Sequence, residues 1–187
     1  MSVSKIHAAS TPSGDFAAAW FDDERYLWDD ERLRRATSLI AEWTPSKLQL
    51  ADPSRGATEV LFNPNALAVS ERVRAALGDF RELEFLPVEI DGAGTYYVLH
   101  ALVAIAPPPG CSLRRAPPPS GNIVEIFGFP QAFEPPSAFF RIQQPLDSAA
   151  GRRRSCHSHL FANARGAEAI AQTCGAFLVA TELIVPG

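Results

Sequence analysis

Two stretches of this chain repeat one order of parts, and that order limits the folds open to it. Residues 61–90 read LFNPNALAVSERVRAALGDFRELEFLPVEI, and residues 159–184 read HLFANARGAEAIAQTCGAFLVATELI. Each runs Leu-Phe, a short polar turn, a helical stripe of two to three turns, a glycine and an apolar run. In the first copy Ser70 suits an N-cap, and Glu71 puts a carboxylate in the first turn. Val73, Ala76, Leu77 and Phe80 follow at i, i+3, i+4 and i+7, and Gly78 is the stop. In the second copy Asn163 is the cap candidate, Ala167, Ile170, Ala171 and Cys174 form the stripe, and Gly175 is the stop. Helices this short do not hold their shape alone in water, so each must bury its stripe against a sheet. The order predicts an α+β fold, with a mostly antiparallel sheet and helices packed against it, built on two related helix–strand units. The two copies are either a duplicated unit or two instances of one common pattern.

After the first copy, DGAG at 91–94 signals a tight turn and TYYVLHALVAI continues as a strand. The spacing therefore predicts a β-hairpin over Leu83–Ile105. Pro87 lacks an N–H for the ladder, so it is expected only at an edge or a bulge. Upstream, Leu33, Ala36, Ile40 and Trp43 recur at helical spacing and predict an amphipathic helix over Asp29–Glu42, capped by Asp29 or Asp30. Phe16–Trp28 fits either a strand or a helix. Lys47–Leu50 reads as a short strand, Ala51–Ala57 as a loop, and Ile123–Phe127, Ala138–Ile142, Ser158–Phe161 and Phe177–Val185 as strands. Residues 1–14 read as a flexible Ser- and Ala-rich lead-in, and residues 15–187 as one domain. PPPGCSLRRAPPPSG at 107–121 is a proline-rich loop, either a stiff spacer or a ligand for a proline-binding module.

Composition bears on partners and compartment. The 187 residues include 17 Lys and Arg against 21 Asp and Glu, a net charge of −4. Such a chain has no overall field to draw it onto nucleic acid or anionic lipid, and neither is expected as a partner. No stretch approaches the roughly 18 apolar residues of a membrane-spanning helix. The opening residues lack the apolar run of a secretory signal. Cys111, Cys156 and Cys174 are an odd, widely spaced set, which fits a reducing cytoplasm better than a disulfide scaffold.

CHSH at 156–159 is the stretch with the residue types of a catalytic or metal centre. A Cys–His pair can supply a nucleophile and its base, and Cys with His can bind zinc. In an extended segment, however, His157 and His159 share one face and Cys156 takes the other. No C-x-x-C or H-x-x-x-H set completes a zinc site. A small enzyme built on Cys156, His157 and His159 is the alternative reading. Arg152–Arg154 reads as a solvated loop or a phosphate contact. There is no Gly-rich phosphate loop, G-x-S-x-G elbow or H-E-x-x-H helix, so neither catalysis nor a cofactor or metal is expected. Asp22, Asp23, Glu24, Asp29, Asp30 and Glu31 place six carboxylates within ten residues, interleaved with Tyr26 and Trp28. They form either a solvated, helix-capping face or a recognition surface. In the second case the carboxylates steer a basic partner and the aromatics give anchor area. The candidate contact set is Asp22, Asp23, Glu24, Tyr26, Trp28, Asp29 and Asp30.

AVSERV at 68–73, LEFLPVEI at 83–90, YYVL at 96–99, FRI at 140–142 and a helix closing on a strand over 165–185 together resemble a known family. It is a bacterial immunity-protein family of polymorphic toxin systems, the eleventh in the numbered immunity series and formerly a domain of unknown function. The likeness runs from Trp43 to the end, about three quarters of the chain. It departs from the family pattern at the last helix, which lacks the usual Ser-Asp/Glu start. The resemblance implies a cytoplasmic, non-enzymatic antitoxin that binds one cognate secreted toxin and occludes its active site. It implies no catalytic residues and carries over no binding surface.

Overall fold

The structure, a computed structural model, describes residues 6–10, 19–21, 32–63, 66–118, 121–144, 159–174 and 179–183. In chain order the strands are β1 (His7–Ser10), β2 (Ala19–Phe21), β3 (Ser46–Leu50), β4 (Val60–Asn63), β5 (Ala66–Val69), β6 (Leu83–Ile90), β7 (Gly94–Ala101), β8 (Ala104–Ile105), β9 (Ser112–Arg115), β10 (Ile123–Gly128), β11 (Phe139–Ile142), β12 (Phe161–Ala162) and β13 (Val179–Glu182). Two helices, α1 (Glu71–Leu77) and α2 (Ala164–Cys174), and a 3-10 turn at Pro53–Arg55 complete the described elements. One sheet runs β2-β3-β6-β7-β5-β4, a second runs β13-β1-β12-β11-β8, and β9 with β10 makes a separate ribbon. Among the described residues, all pairings are antiparallel except β3–β6 and β8–β11. This is an α+β fold dominated by its sheets.

The helices form where their caps and stripes predict. Ser70 stands at φ −67°, ψ 166°, and its Oγ accepts from Val73 N at 3.4 Å. Val73 and Leu77 are fully buried, whereas Ala76 is exposed. α1 stops at Leu77, so Phe80 lies beyond it, buried, with its N–H on the Leu77 carbonyl at 3.2 Å. Gly78 keeps a right-handed φ of −63°, so this stop uses no left-handed glycine. Asn163 caps α2 by accepting from Gly166 N at 3.1 Å. Gly166, Ala167, Ile170 and Cys174 are its buried face, and Ala171 is exposed. Gly175 lies outside the described residues.

The two copies share a topology as well as a sequence order. In the first, β5 leads through α1 to β6, and β7 lies between them, antiparallel to both. In the second, β12 leads through α2 to β13, and β1 lies between them, antiparallel to both. Each unit also has an antiparallel outer strand that precedes it in the chain, β4 beside β5 and β11 beside β12. The two helices meet over one core, where Val73, Leu77 and Phe80 join Phe139, Ala162, Ile170 and Cys174. The Phe80 and Phe139 rings meet edge to face with centroids 4.9 Å apart. The Glu82 carboxylate strengthens this seam by accepting from Ala138 N at 2.9 Å and Phe139 N at 3.3 Å.

The β6–β7 ladder runs in register from Leu83↔Ala101 to Ile90↔Gly94, with Gly92 and Gly94 at φ 77° and 84° in the turn. Alternation splits its side chains. Leu83, Phe85, Tyr97, Leu99 and Ala101 face the helices, while Leu86, Val88, Ile90, Tyr96 and Val98 face a second core with Leu48 and Leu61. Pro87 sits one residue before β3 begins to pair with β6 at Val88, where its missing N–H breaks no bond to β3.

Four expectations need correction. The hairpin ends at Ala101 rather than Ile105, because Ala104 and Ile105 cross to pair in parallel with β11. The lead-in is not loose throughout, since His7–Ser10 is the central strand between β12 and β13 and Ile6 is buried. The proline-rich loop contains β9, which pairs with β10, and the ribbon lays Ile123 and Ile126 on the core around Phe140, Ile142 and Phe161. Finally, the helix expected over Asp29–Glu42 reaches only Arg32 and Leu33 within the described residues, and turns, bends and irregular backbone follow.

Candidate functional site

The failed helix marks a site. Glu84 of β6 and His100 of β7 stand opposite each other across the ladder, on the face of Leu86 and Val98. Arg141 reaches them from β11. All three are buried, Glu84 at 9 %, His100 at 0 % and Arg141 at 1 % exposure. Charged groups in such a place must find partners, and all three find them on one segment. Glu84 Oε2 accepts from Leu39 N at 2.7 Å, and its Oε1 accepts from Ser38 Oγ at 2.6 Å and Ile40 N at 3.2 Å. His100 Nε2 lies 3.0 Å from the Thr37 carbonyl, and Arg141 Nη1 donates to the Leu33 carbonyl. In a helix the Leu39 and Ile40 N–H groups would go to Arg35 and Ala36, and the Leu33 carbonyl would receive Thr37. The distant side chains take those groups instead.

A carbonyl can only accept, so Nε2 of His100 carries the proton. Burial, and after it the Arg141 charge, pushes the His100 pKa down to about 4 from an ordinary 6.5, against the opposing pull of Thr37 and Glu84. The ring is therefore neutral near pH 7.

Beyond Thr37 the segment forms a braced turn. Glu42 N donates to the Leu39 carbonyl at 2.9 Å. Leu39 points into the core at 4 % exposure, and Ile40 points out at 55 %. The Trp43 indole donates to the Pro87 carbonyl at 2.7 Å. Arg32 donates to the Glu42 carbonyl at 2.9 Å and lies 6.0 Å from the Trp43 ring.

A second feature is an open cleft of about 490 Å³ at the start of α1, lined by Thr58, Glu59, Ser70, Glu71, Arg72 and Tyr96 among others. Its charges are committed to one another. Glu59 accepts from Ser70 Oγ and from Arg72 Nε at 2.9 Å, and these bonds, Ser70 first, hold its carboxyl below the usual range. Arg74 Nε donates to Glu71 at 2.7 Å and its guanidinium lies 5.0 Å from the Tyr97 ring centre. Arg74, and after it Tyr97, takes the Glu71 pKa down to about 2. Ser70 Oγ donates to Glu59 and accepts from Val73 N, so the hydroxyl serves as a cap rather than a nucleophile.

The predicted contact residues Asp22, Asp23, Glu24, Tyr26, Trp28, Asp29 and Asp30 lie outside the described residues, between β2 and Arg32. Cys156, His157 and Arg152–Arg154 also lie outside them. His159 is exposed, with its ring 6.3 Å from that of Phe161. Burial raises the Cys111 pKa and pushes the Cys174 pKa up to about 11, so neither is a ready thiolate. Among the described residues, no group of three His, Cys, Asp or Glu side chains could hold a metal ion, and no helix is long and apolar enough to cross a membrane. Glu84, His100 and Arg141 were not among the predicted site residues. Their signal was a charged or polar residue on an inward-facing strand position.

In comparisons with known proteins, no protein-family model matches the chain, and no curated protein matches it.

Proposed function

We propose that this chain is an immunity protein, a non-enzymatic antitoxin that binds a cognate secreted bacterial toxin domain in the cytoplasm and covers its active site. One observation carries the reading. Three of the five strings that bear the family resemblance, at 68–73, 83–90 and 96–99, fall in one continuous piece, β5–α1–β6–β7, and serve there as cap and core, while FRI lies on β11 and residues 165–185 span α2 and β13. Ser70 is the cap, and Val73, Leu83, Leu86, Val88, Ile90, Val98 and Leu99 are buried. A chassis of that kind leaves the outward residues free to match a partner. Specific inhibitory interfaces bury about 800 Å² on each side and depend on a few anchors. The partner is a protein with a basic face, and the acidic-aromatic set from Asp22 to Asp30 is one part of the contact surface.

The test is co-expression. The neighbouring reading frame is first read for a large secreted protein with a toxic C-terminal domain, and that domain is induced in cells with and without this chain. Restored growth and a stable complex are expected. Continued death in the presence of folded, abundant chain overturns the reading. Reversing Asp22, Asp23, Asp29 and Asp30 to Lys together is expected to weaken the complex at least ~10-fold by replacing attraction with repulsion. Unchanged affinity removes that stretch from the interface.

A further inference from the structure

We propose that residues 34–43 form an acid-released strap: protonation of His100 detaches this segment from the sheets as one unit while the β6–β7 hairpin stays folded. This concerns the chain alone and does not depend on the antitoxin reading. The strap belongs to no strand. It is tied to the body through side chains. Glu84 and His100 reach it from the hairpin, the Trp43 indole holds the Pro87 carbonyl, and Leu39 packs in the second core. At its start, Arg141 holds the Leu33 carbonyl. A segment held in this way can open without breaking a strand ladder, so its opening is a smaller event than unfolding of the sheets.

The site under the strap accepts only the neutral ring. His100 Nε2 donates to the Thr37 carbonyl at 3.0 Å, and Nδ1 is buried without a hydrogen-bond partner among the described residues. Protonation puts an N–H on Nδ1, where no described group accepts it, and sets a second cation beside Arg141. The charged groups that face the ring are Arg141 from β11 and Glu84 from β6, with the Thr37 carbonyl facing it from the strap. Glu84 favours the charged ring, but both its oxygens already accept from the strap, at Ser38, Leu39 and Ile40. Lifting the strap lets water reach the ring and solvate the charge. Opening and protonation are therefore linked, and acid favours the open form by as much as opening favours the proton.

Amide hydrogen exchange is measured on the wild-type chain and on His100→Gln, and corrected for the intrinsic effect of pH. In the wild type, protection at Leu39 and Ile40 is expected to fall at least ~10-fold from about pH 7.5 to about pH 5. The amides of the β6–β7 ladder are expected to keep theirs. In His100→Gln, whose side-chain amide can still donate to the Thr37 carbonyl but cannot take up a proton, the fall at Leu39 and Ile40 is expected to vanish. Equal loss in strap and ladder overturns the proposal, because the strap then opens only with the whole fold. Unchanged protection at Leu39 and Ile40 in the wild type also overturns it. An undiminished fall in His100→Gln does the same, by placing the responsible proton elsewhere. The two wild-type outcomes decide the matter even where the variant does not fold.

Discussion

His100 is neutral inside the fold and would be a cation in the unfolded chain below its ordinary pKa. Its folded pKa of about 4 lies below the unfolded 6.5, so its contribution to stability is complete above 6.5. Between 6.5 and 4 the unfolded chain binds a proton that the folded chain refuses, and stability falls with pH by roughly 3 kcal/mol. The wild-type Tm is therefore expected to drop across this window more steeply than that of His100→Gln. Parallel Tm profiles for the two proteins would contradict the assignment. The groups that set this balance are Arg141, which opposes the charged ring, and Glu84 and the Thr37 carbonyl, which favour it. Glu84 itself receives three bonds from the 38–40 backbone and Ser38 hydroxyl. Hydrogen bonds to a charged group contribute about 1.5–3 kcal/mol each, and they do not add fully. Glu84→Ala is expected to cost about 3 kcal/mol in denaturant unfolding, with the loss centred on the turn. A Glu84→Ala protein as stable as wild type would mean that the carboxylate braces nothing.

At the scale of elements, α2 shows a close approach overriding helix propensity. A Cβ on Gly166 would meet the Ala138 carbonyl at 2.6 Å, the Ala162 Cβ at 3.1 Å and Phe139 Cζ at 3.2 Å. In an exposed helix Gly→Ala gains about 1 kcal/mol. Here the backbone carbonyl cannot yield, and overpacking of about 1–3 kcal/mol decides the sign. Gly166→Ala is expected to lower the Tm, and a raised Tm would refute the tight seam. What could be read from sequence follows the same division between local and distant causes. Ser70, the 83–90 alternation and the glycines of 91–94 are local signals, and the cap, strand and turn appear where they point. The Leu33–Trp43 spacing is helical, yet its N–H groups go to Glu84, some 45 residues away, and its Leu33 carbonyl to Arg141, 108 residues away. His7–Ser10 carries no strand pattern of its own, because its pairing is set by β12 and β13 at the far end of the chain. Glu84 and His100 were visible as residues out of place on apolar strands. That they serve one turn was not, since the ladder register and the strand-to-turn contact are both long-range facts.

At the scale of the molecule, two strand–helix–strand units share a core and differ in the source of the strand that completes each. β7 follows β6 through a short turn, whereas β1 reaches the second unit from the start of the chain. Deleting residues 1–10 is therefore expected to expose the amides of β11, β12 and β13 to exchange while the β6–β7 hairpin stays protected. Unchanged protection in β12 would deny β1 its structural role. The same arrangement imposes a timetable on synthesis. β1 leaves the ribosome about 150 residues ahead of β12. At 5–20 residues per second it waits roughly eight to thirty seconds for a matching edge. Throughout that interval the nascent chain shows an open strand to any chaperone or neighbouring polypeptide, so the second unit closes only once β12 and β13 have emerged.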